Sequence, residues 1–322
     1  MAVSKKISAT RLKKGTASVA FSVFRYALLI SIGYLVVFPI ISAFTTSIKA
    51  ERAFFDLSIY WLPKYISFDS YKYAFQVMDY PTSFLRTLSL NIVSAGIEII
   101  MCAIVAYGFA RFQFKFKNVF EFLLMMTIVI PTQIYIVSMV LNFKYVDVLG
   151  ILGLFNKITG IDLRINILNT NLTFYLPSLF AMGLRSGLLI YIYIQFFSEL
   201  PKELEEAASI DGAGPFKTFW VIALPSSGVV LTTVSVFSII WHWNDYYLSS
   251  MYMTGNYPLA VKLASIDDAL KLSSLFKGAS ANSMMNASKM AGCLLFIIPI
   301  LIFYLCIQRK FVKSIDRVGI TG

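Results

Sequence analysis

Apolar and polar positions in this chain separate into long blocks, so its dominant pattern is one of whole segments and not of single turns. Crossing roughly 30 Å of hydrocarbon takes about 20 predominantly apolar residues in a helix. Six stretches meet that length: 20–47, 84–111, 118–143, 172–197, 226–250 and 288–308. Lipid offers no partner for an unsatisfied backbone group, so each stretch is predicted to be a helix. Pro39, Pro131, Pro177 and Pro299 fall inside these stretches. Membrane helices tolerate proline where neighbours re-satisfy the freed carbonyl, and local kinks are expected at all four. The prediction is an all-α membrane protein with six transmembrane helices. Its parts are an N-terminal arm over 1–19, a first helix and outer loop over 20–83, a five-helix core over 84–308 that contains a polar connector at 198–225, and a tail over 309–322.

Composition supports this reading. Of 322 residues, 58% are hydrophobic and 14% charged, against about 25% charged in soluble domains. A net charge of +11 would suit nucleic acid in a soluble protein, but here it follows the positive-inside rule, and no nucleic-acid partner is expected. With both termini in the cytoplasm, the inner segments hold fifteen Lys and Arg and the three outer loops hold ten. The short arm and the tail carry most of that bias. The opening "MAVSKKISATRLKKGTASVAF" has basic residues before an apolar run, as a signal peptide would. The run outlasts a signal core and lacks a small-residue cleavage site, so it reads as a retained first helix. In the first outer loop, "FFDLSIYWLPKYISF" reads as an aromatic piece lying along the membrane interface. Cys102, Cys293 and Cys306 lie in apolar runs and read as small buried hydrophobes. His242 is the only histidine, so the chain offers no two-histidine metal site.

The connector between the fourth and fifth stretches reads "ELPKELEEAASIDGAGPFKTFWVIALP". Pro201 suits the first turn of a helix, where its missing N–H costs nothing. Glu203, Glu205 and Glu206 follow, where negative charge complements the helix dipole. "DGAG", Asp211 to Gly214, breaks that helix, and Pro215 opens a second one. The predicted product is a protruding helix–turn–helix with small residues at its tip, a shape suited to a cleft on another protein.

Within it Glu206, Ala207 and Ala208 are followed after three residues by Gly212, and after nine more by Ile222, Leu224 and Pro225. This spacing resembles the EAA loop of ABC importer permeases. The flanking "QFFSELPKELEEAASIDGAG" and the later "WHWNDYY" resemble the carbohydrate-uptake, MalG-like branch, over most of the chain from about residue 20. The tail runs in register with that branch's usual ending but departs from it at Ser314, Val318 and Thr321, and Val229 stands where the family often has proline. The resemblance implies a coupling helix that docks on a cytoplasmic ATPase through Glu206, Ala207, Ala208, Ser209, Asp211, Gly212, Ala213 and Gly214. It also implies a second, different permease subunit forming a heterodimer, two ATPase copies that bind ATP and Mg, an extracytoplasmic solute-binding protein, and a bacterial cytoplasmic membrane. The chain has no G-x-x-x-x-G-K-[ST] motif, which fits ATP being handled by a partner and no cofactor on this chain.

Polar residues inside the spans are functional hypotheses by default. Glu98 lies near the middle of the second stretch and Arg185 near the middle of the fourth, placed to pair either as a packing contact or along a solute path. "WHWNDYY" supplies Trp241, Trp243, Asn244, Asp245 and Tyr246. Aromatic faces with amides and carboxylates suit a sugar, and the same residues suit an aromatic belt at the membrane face. Asn91, Thr132 and Gln133 are weaker solute-path candidates, since isolated amides and hydroxyls also join helices. The reading is an importer permease subunit for a sugar, an oligosaccharide by resemblance to that branch, working by alternating access without covalent chemistry. Its rivals are the same subunit with a peptide or amino-acid cargo, an ion-coupled transporter, which usually shows an internal repeat, and a membrane-embedded enzyme, for which the clustered catalytic groups are lacking.

Overall fold

The structure is a computed structural model that describes residues 2–54, 63–147, 150–273, 276 and 280–319, with side chains outside 2–20 and 310–319. The core of the aromatic outer-loop piece and Thr321 of the tail lie outside the described residues, as do the side chains of Ser314 and Val318. In order the helices are α1 (Ala2–Ser47), α2 (Asp69–Val77), α3 (Tyr80–Arg111), α4 (Lys117–Val129), α5 (Ile136–Lys144), α6 (Ile151–Thr159), α7 (Leu172–Leu179) and α8 (Ser186–Glu199). They continue as α9 (Lys202–Ile210), α10 (Pro215–Thr218), α11 (Leu224–Ser226), α12 (Gly228–Asn244), α13 (Tyr247–Tyr252), α14 (Leu259–Ala264), α15 (Ile266–Leu272) and α16 (Ala281–Gly319). Extended pairing among the described residues is limited to two isolated bridges, Lys49 with Ile66 and Val146 with Ile165.

The chain divides into two compact units, Met1–Ala74 with Leu270–Leu294, and Phe75–Ala269 with Leu295–Gly322. In the first, the Phe21–Ser47 part of α1 is apolar and exposed on nearly every face, as expected of a helix solvated by lipid. Its end is tied down locally. The Ser47 and Tyr71 hydroxyls are 2.9 Å apart, Ala50 N donates to the Tyr65 carbonyl at 2.9 Å and Ser67 N to that of Ile48 at 2.9 Å. Ser280 donates to Glu51 in the same unit.

In the second unit α3 is the central post, packed against α7, α8, α12 and α14. Small side chains permit close approach in membrane bundles, and Ser94, Ala95, Cys102, Ala103 and Ala106 give α3 such a face. A layer of aromatic rings closes one end of this core: Tyr107 meets Phe197 edge-on at 5.6 Å and Phe219 at 5.3 Å, and Tyr193 stacks on Phe197 at 5.8 Å. At the other end Phe143, Phe174 and Tyr252 cluster, with Phe143 and Tyr252 4.9 Å apart.

The predicted stretches are realised unequally. Among the described residues three helical segments are long and apolar enough to cross a membrane, Phe21–Ser47, Tyr80–Arg111 and Ala281–Arg309, and Pro215–Ser226 with Gly228–Asn244 pass the same test together as a pair bent by 81°. Stretches 118–143 and 172–197 were expected as continuous helices, and each is instead two shorter ones. The first stops at Ile130, because Pro131 has no N–H to continue the ladder. The second breaks between α7 and α8, where Ala181 and Arg185 take left-handed backbone angles, φ 54° and 59°. Pro39 and Pro299, by contrast, sit inside unbroken helices. The breaks fall where polar residues congregate.

Candidate functional site

The connector folds as its turn chemistry predicts. Pro201 precedes α9, and Pro215 begins α10. Between them the Gly212 N–H donates to the Ser209 carbonyl at 3.0 Å and the Ala213 N–H to that of Ala208 at 2.9 Å. Gly212 has φ 75°. This pair of bonds around a left-handed residue is a Schellman cap, which satisfies the last carbonyls of α9 and turns the chain sharply. The glycine spacing of the motif therefore has a physical cause. Any Cβ at 212 meets open space, so the constraint is backbone conformation alone.

Glu206, Ala207, Ser209, Asp211, Gly212 and Gly214 are exposed, Ala213 is half-buried, and Ala208 is buried beneath them. Ala208 thus belongs to the element's inner face and serves its packing. Exposed apolar side chains flank the turn, Leu204, Phe216 and above all Ile210, which is 87% exposed. Beneath it, Arg111 at the end of α3 donates from Nε to Glu205 Oε1 at 2.8 Å and from Nη2 to the Leu200 carbonyl at 2.5 Å. Two donors of one guanidinium fork, mostly shielded from water, thus bolt α9 to the central post. Arg111 was not singled out by sequence reasoning; an arginine ending a long apolar helix also satisfies the positive-inside pattern and so carries no separate signal.

A second polar site lies within the membrane part. Glu98 is fully buried on α3. The Ser186 hydroxyl donates to its Oε1 at 2.6 Å and the Ser238 hydroxyl to its Oε2 at 2.8 Å. His242 Nδ1 lies 3.7 Å from Oε2 and 2.9 Å from the Ser238 carbonyl. The carboxylate therefore joins α3 to α8 and α12. The expected Glu98–Arg185 pair is not formed. Arg185, exposed at the α7–α8 break, lies over the Trp241 ring at 4.9 Å. Gly183 makes room for this node, since a Cβ there would sit 2.6 Å from Glu98 Oε1 and 2.8 Å from Ser178 Oγ.

Beside the node is a small cleft of about 40 Å³. It is lined by Thr132, Tyr135, Thr173, Ser178, Arg185, His242 and Tyr252 among apolar neighbours that include Met139 and Phe174. Of the predicted solute-path residues, Trp241 stands next to it through Arg185 and stacks on Phe237 at 5.4 Å. Trp243 is buried, with its indole N–H on the Phe296 carbonyl at 3.2 Å. Asn91 is buried and donates to the Ile239 carbonyl at 2.7 Å. The Asp245 carboxylate accepts from the Leu248 and Ser249 N–H groups at 3.2 and 2.9 Å and so caps α13. Asn244 donates to the Ile240 carbonyl at 2.8 Å, while Tyr246 and Gln133 are exposed. Sequence reasoning missed Ser178, Gly183, Ser186 and Ser238, and noticed His242 only as the one histidine, with no place in a site. The one available signal was Ser238 and His242 four apart on a helix, which share a face.

A multi-pass helical membrane protein carrying a capped helix–turn–helix beside its central helix has the form of a transporter's membrane subunit. Residues 99–317 match the family of binding-protein-dependent transport system inner membrane components, and the chain belongs to that family. Protein LplC of Bacillus subtilis (strain 168) is 25% identical over 302 residues, covering 91% of this chain and 92% of its own. The trehalose transport system permease protein SugB of Mycobacterium tuberculosis (strain CDC 1551 / Oshkosh) is 26% identical over 291 residues, covering 90% and 94%. Among solved structures, a bacterial ABC transporter involved in the import of the acidic polysaccharide alginate shares the fold, with a TM-score of 0.67 at 19% identity over 90% of this chain and 96% of that one.

Proposed function

We propose that this chain is one of two different membrane subunits of an ATP-driven sugar importer, spanning the cytoplasmic membrane six times with both termini inside. Energy reaches it through α9 and the Gly212 turn, seated on a cytoplasmic ATPase subunit, two copies of which bind ATP and Mg in the complex. An extracytoplasmic binding protein delivers the sugar, and the chain itself performs no covalent step. The observation that carries this reading is the α9–α10 element. Its motif residues other than Ala208 and Ala213 are exposed around a Schellman turn, apolar Ile210 and Phe216 flank them, and Arg111 fixes the element to the central helix. A rigid, exposed, part-apolar tip is what docking into a groove requires. Sugar as cargo is supported by the relative named for trehalose and by the sequence resemblance to the carbohydrate branch. Broken helices with polar residues at the break are a feature of transport paths, and the breaks at Pro131 and Arg185 border the cleft.

The test is ATP hydrolysis by the reconstituted complex, with its binding protein, across a panel of oligosaccharides, amino acids and peptides. Stimulation by an oligosaccharide is expected. Stimulation by peptides or amino acids alone keeps the docking reading and removes the sugar, and failure of any ATPase to co-purify removes both.

A further inference from the structure

The mid-membrane cleft contains groups that the docking function leaves unused. Ser178 is fully buried, and its hydroxyl has no hydrogen-bond partner although it lines the cleft. A buried hydroxyl without a partner forfeits the bonds it would make in water, and such groups are rare in folded proteins. Arg185 also lines the cleft, lies over Trp241, and has no carboxylate within ion-pair distance among the described residues. His242 completes the set. Its Nδ1 faces the Ser238 carbonyl at 2.9 Å, an oxygen that only accepts, so the neutral ring carries its hydrogen on Nδ1. His242 lines the cleft, and with Nδ1 committed to the Ser238 carbonyl its remaining ring nitrogen, Nε2, is an acceptor.

We infer that this subunit has a sugar-hydroxyl subsite of its own, at which Ser178, Arg185 and His242 seat a hydroxymethyl group or vicinal diol of the passing sugar. The donor and acceptor pattern selects this chemistry. Arg185 offers only donors, His242 Nε2 only an acceptor, and Ser178 either. A hydroxyl both donates and accepts, so it satisfies all three. A carboxylate would bring lone pairs against Nε2, with Glu98 close behind Gly183. An ammonium would meet the Arg185 charge. Size agrees as well: about 40 Å³ holds roughly three water-sized groups, enough for two adjacent hydroxyls but not for a sugar ring. The ring would remain outside, on the Trp241 side. This inference rests on the proposed sugar cargo and extends it to named contacts.

The experiment is uptake into proteoliposomes containing the whole complex and its binding protein, with trehalose, raffinose and maltotriose as probes. Whichever probe is transported is then titrated against wild type, Ser178→Ala and Ser178→Val, the last filling the cleft. Loss of one hydrogen-bond partner should raise the half-saturating concentration for uptake about tenfold in Ser178→Ala, and Ser178→Val should raise it further. A set of monodeoxy analogues of that sugar provides a readout that damage to packing would not reproduce. One analogue should be weakened in wild type yet lose nothing more in Ser178→Ala. If wild type transports a sugar and both variants follow its concentration dependence, the subsite is overturned and the sugar reading stands. If wild type transports none of the probes and its ATPase responds only to peptides or amino acids, both are overturned.

Discussion

Glu98 illustrates how one buried side chain can organise a membrane bundle. A carboxylate in the hydrocarbon region is costly unless its oxygens are bonded, and here two serines on different helices and a nearby histidine supply the partners. Replacing it with leucine keeps the volume but leaves the Ser186 and Ser238 hydroxyls without an acceptor, at about 1–3 kcal/mol for each. Glu98→Leu should therefore unfold at a lower temperature than wild type in detergent, with Glu98→Gln between them because it retains one acceptor oxygen. Equal unfolding midpoints for all three proteins would show that the node does not hold α3, α8 and α12 together. Gly183 belongs to the same argument, since its missing side chain is the space that the Glu98 and Ser178 oxygens use.

At the scale of elements, the α9–α10 turn depends on one backbone conformation. A left-handed residue bearing a Cβ costs about 1–2 kcal/mol, and asparagine, which bonds locally in that region, costs less. Space around Gly212 is open, so size alone should not matter there. Gly212→Val should then lose most of the substrate-stimulated ATPase activity, whereas Gly212→Asn stays near wild type, with both present in the membrane at normal amounts by immunoblot. An equally active valine variant would mean that the turn's geometry is not what the partner reads. The Arg111 fork gives the turn a mechanical connection, since any movement of α9 is carried to the end of α3 through Glu205 and the Leu200 carbonyl.

For the whole molecule the proposal is one of sidedness. The Gly212 turn, the arm and the tail are to face the cytoplasm, with the α5–α7 and α13–α15 connections outside. Ile210 is the most exposed apolar side chain of the docking element, which makes it a sensitive reporter. In a background lacking the three native cysteines, Ile210→Cys should react with a membrane-impermeant maleimide in inverted vesicles but not in intact cells. Assembly with the ATPase subunit should reduce that labelling at least several-fold. Labelling from outside would reverse the topology, and labelling indifferent to the ATPase would remove Ile210 from the contact.

The amino-acid sequence by itself determined the class of protein. Long apolar blocks have few physical solutions in lipid, and the EAA–glycine spacing names a turn whose bonds are local, between residues three to five apart. It also located the polar residues Glu98 and Arg185 at mid-span. What each of them touches was decided only by the tertiary structure. Burial depth along a helix does not fix its rotation or its neighbour, and hydrophobicity alone does not reveal whether an apolar stretch runs through or breaks at Pro131 or near Arg185. Trp243, Asn91 and Asp245 look like sugar ligands in sequence and are committed to internal bonds in the fold. Ser178 attracts no notice in sequence and His242 stands out there only as the one histidine, yet both line the cleft, because residues some sixty positions apart meet only through the packing of α7 and α12 around the central helix.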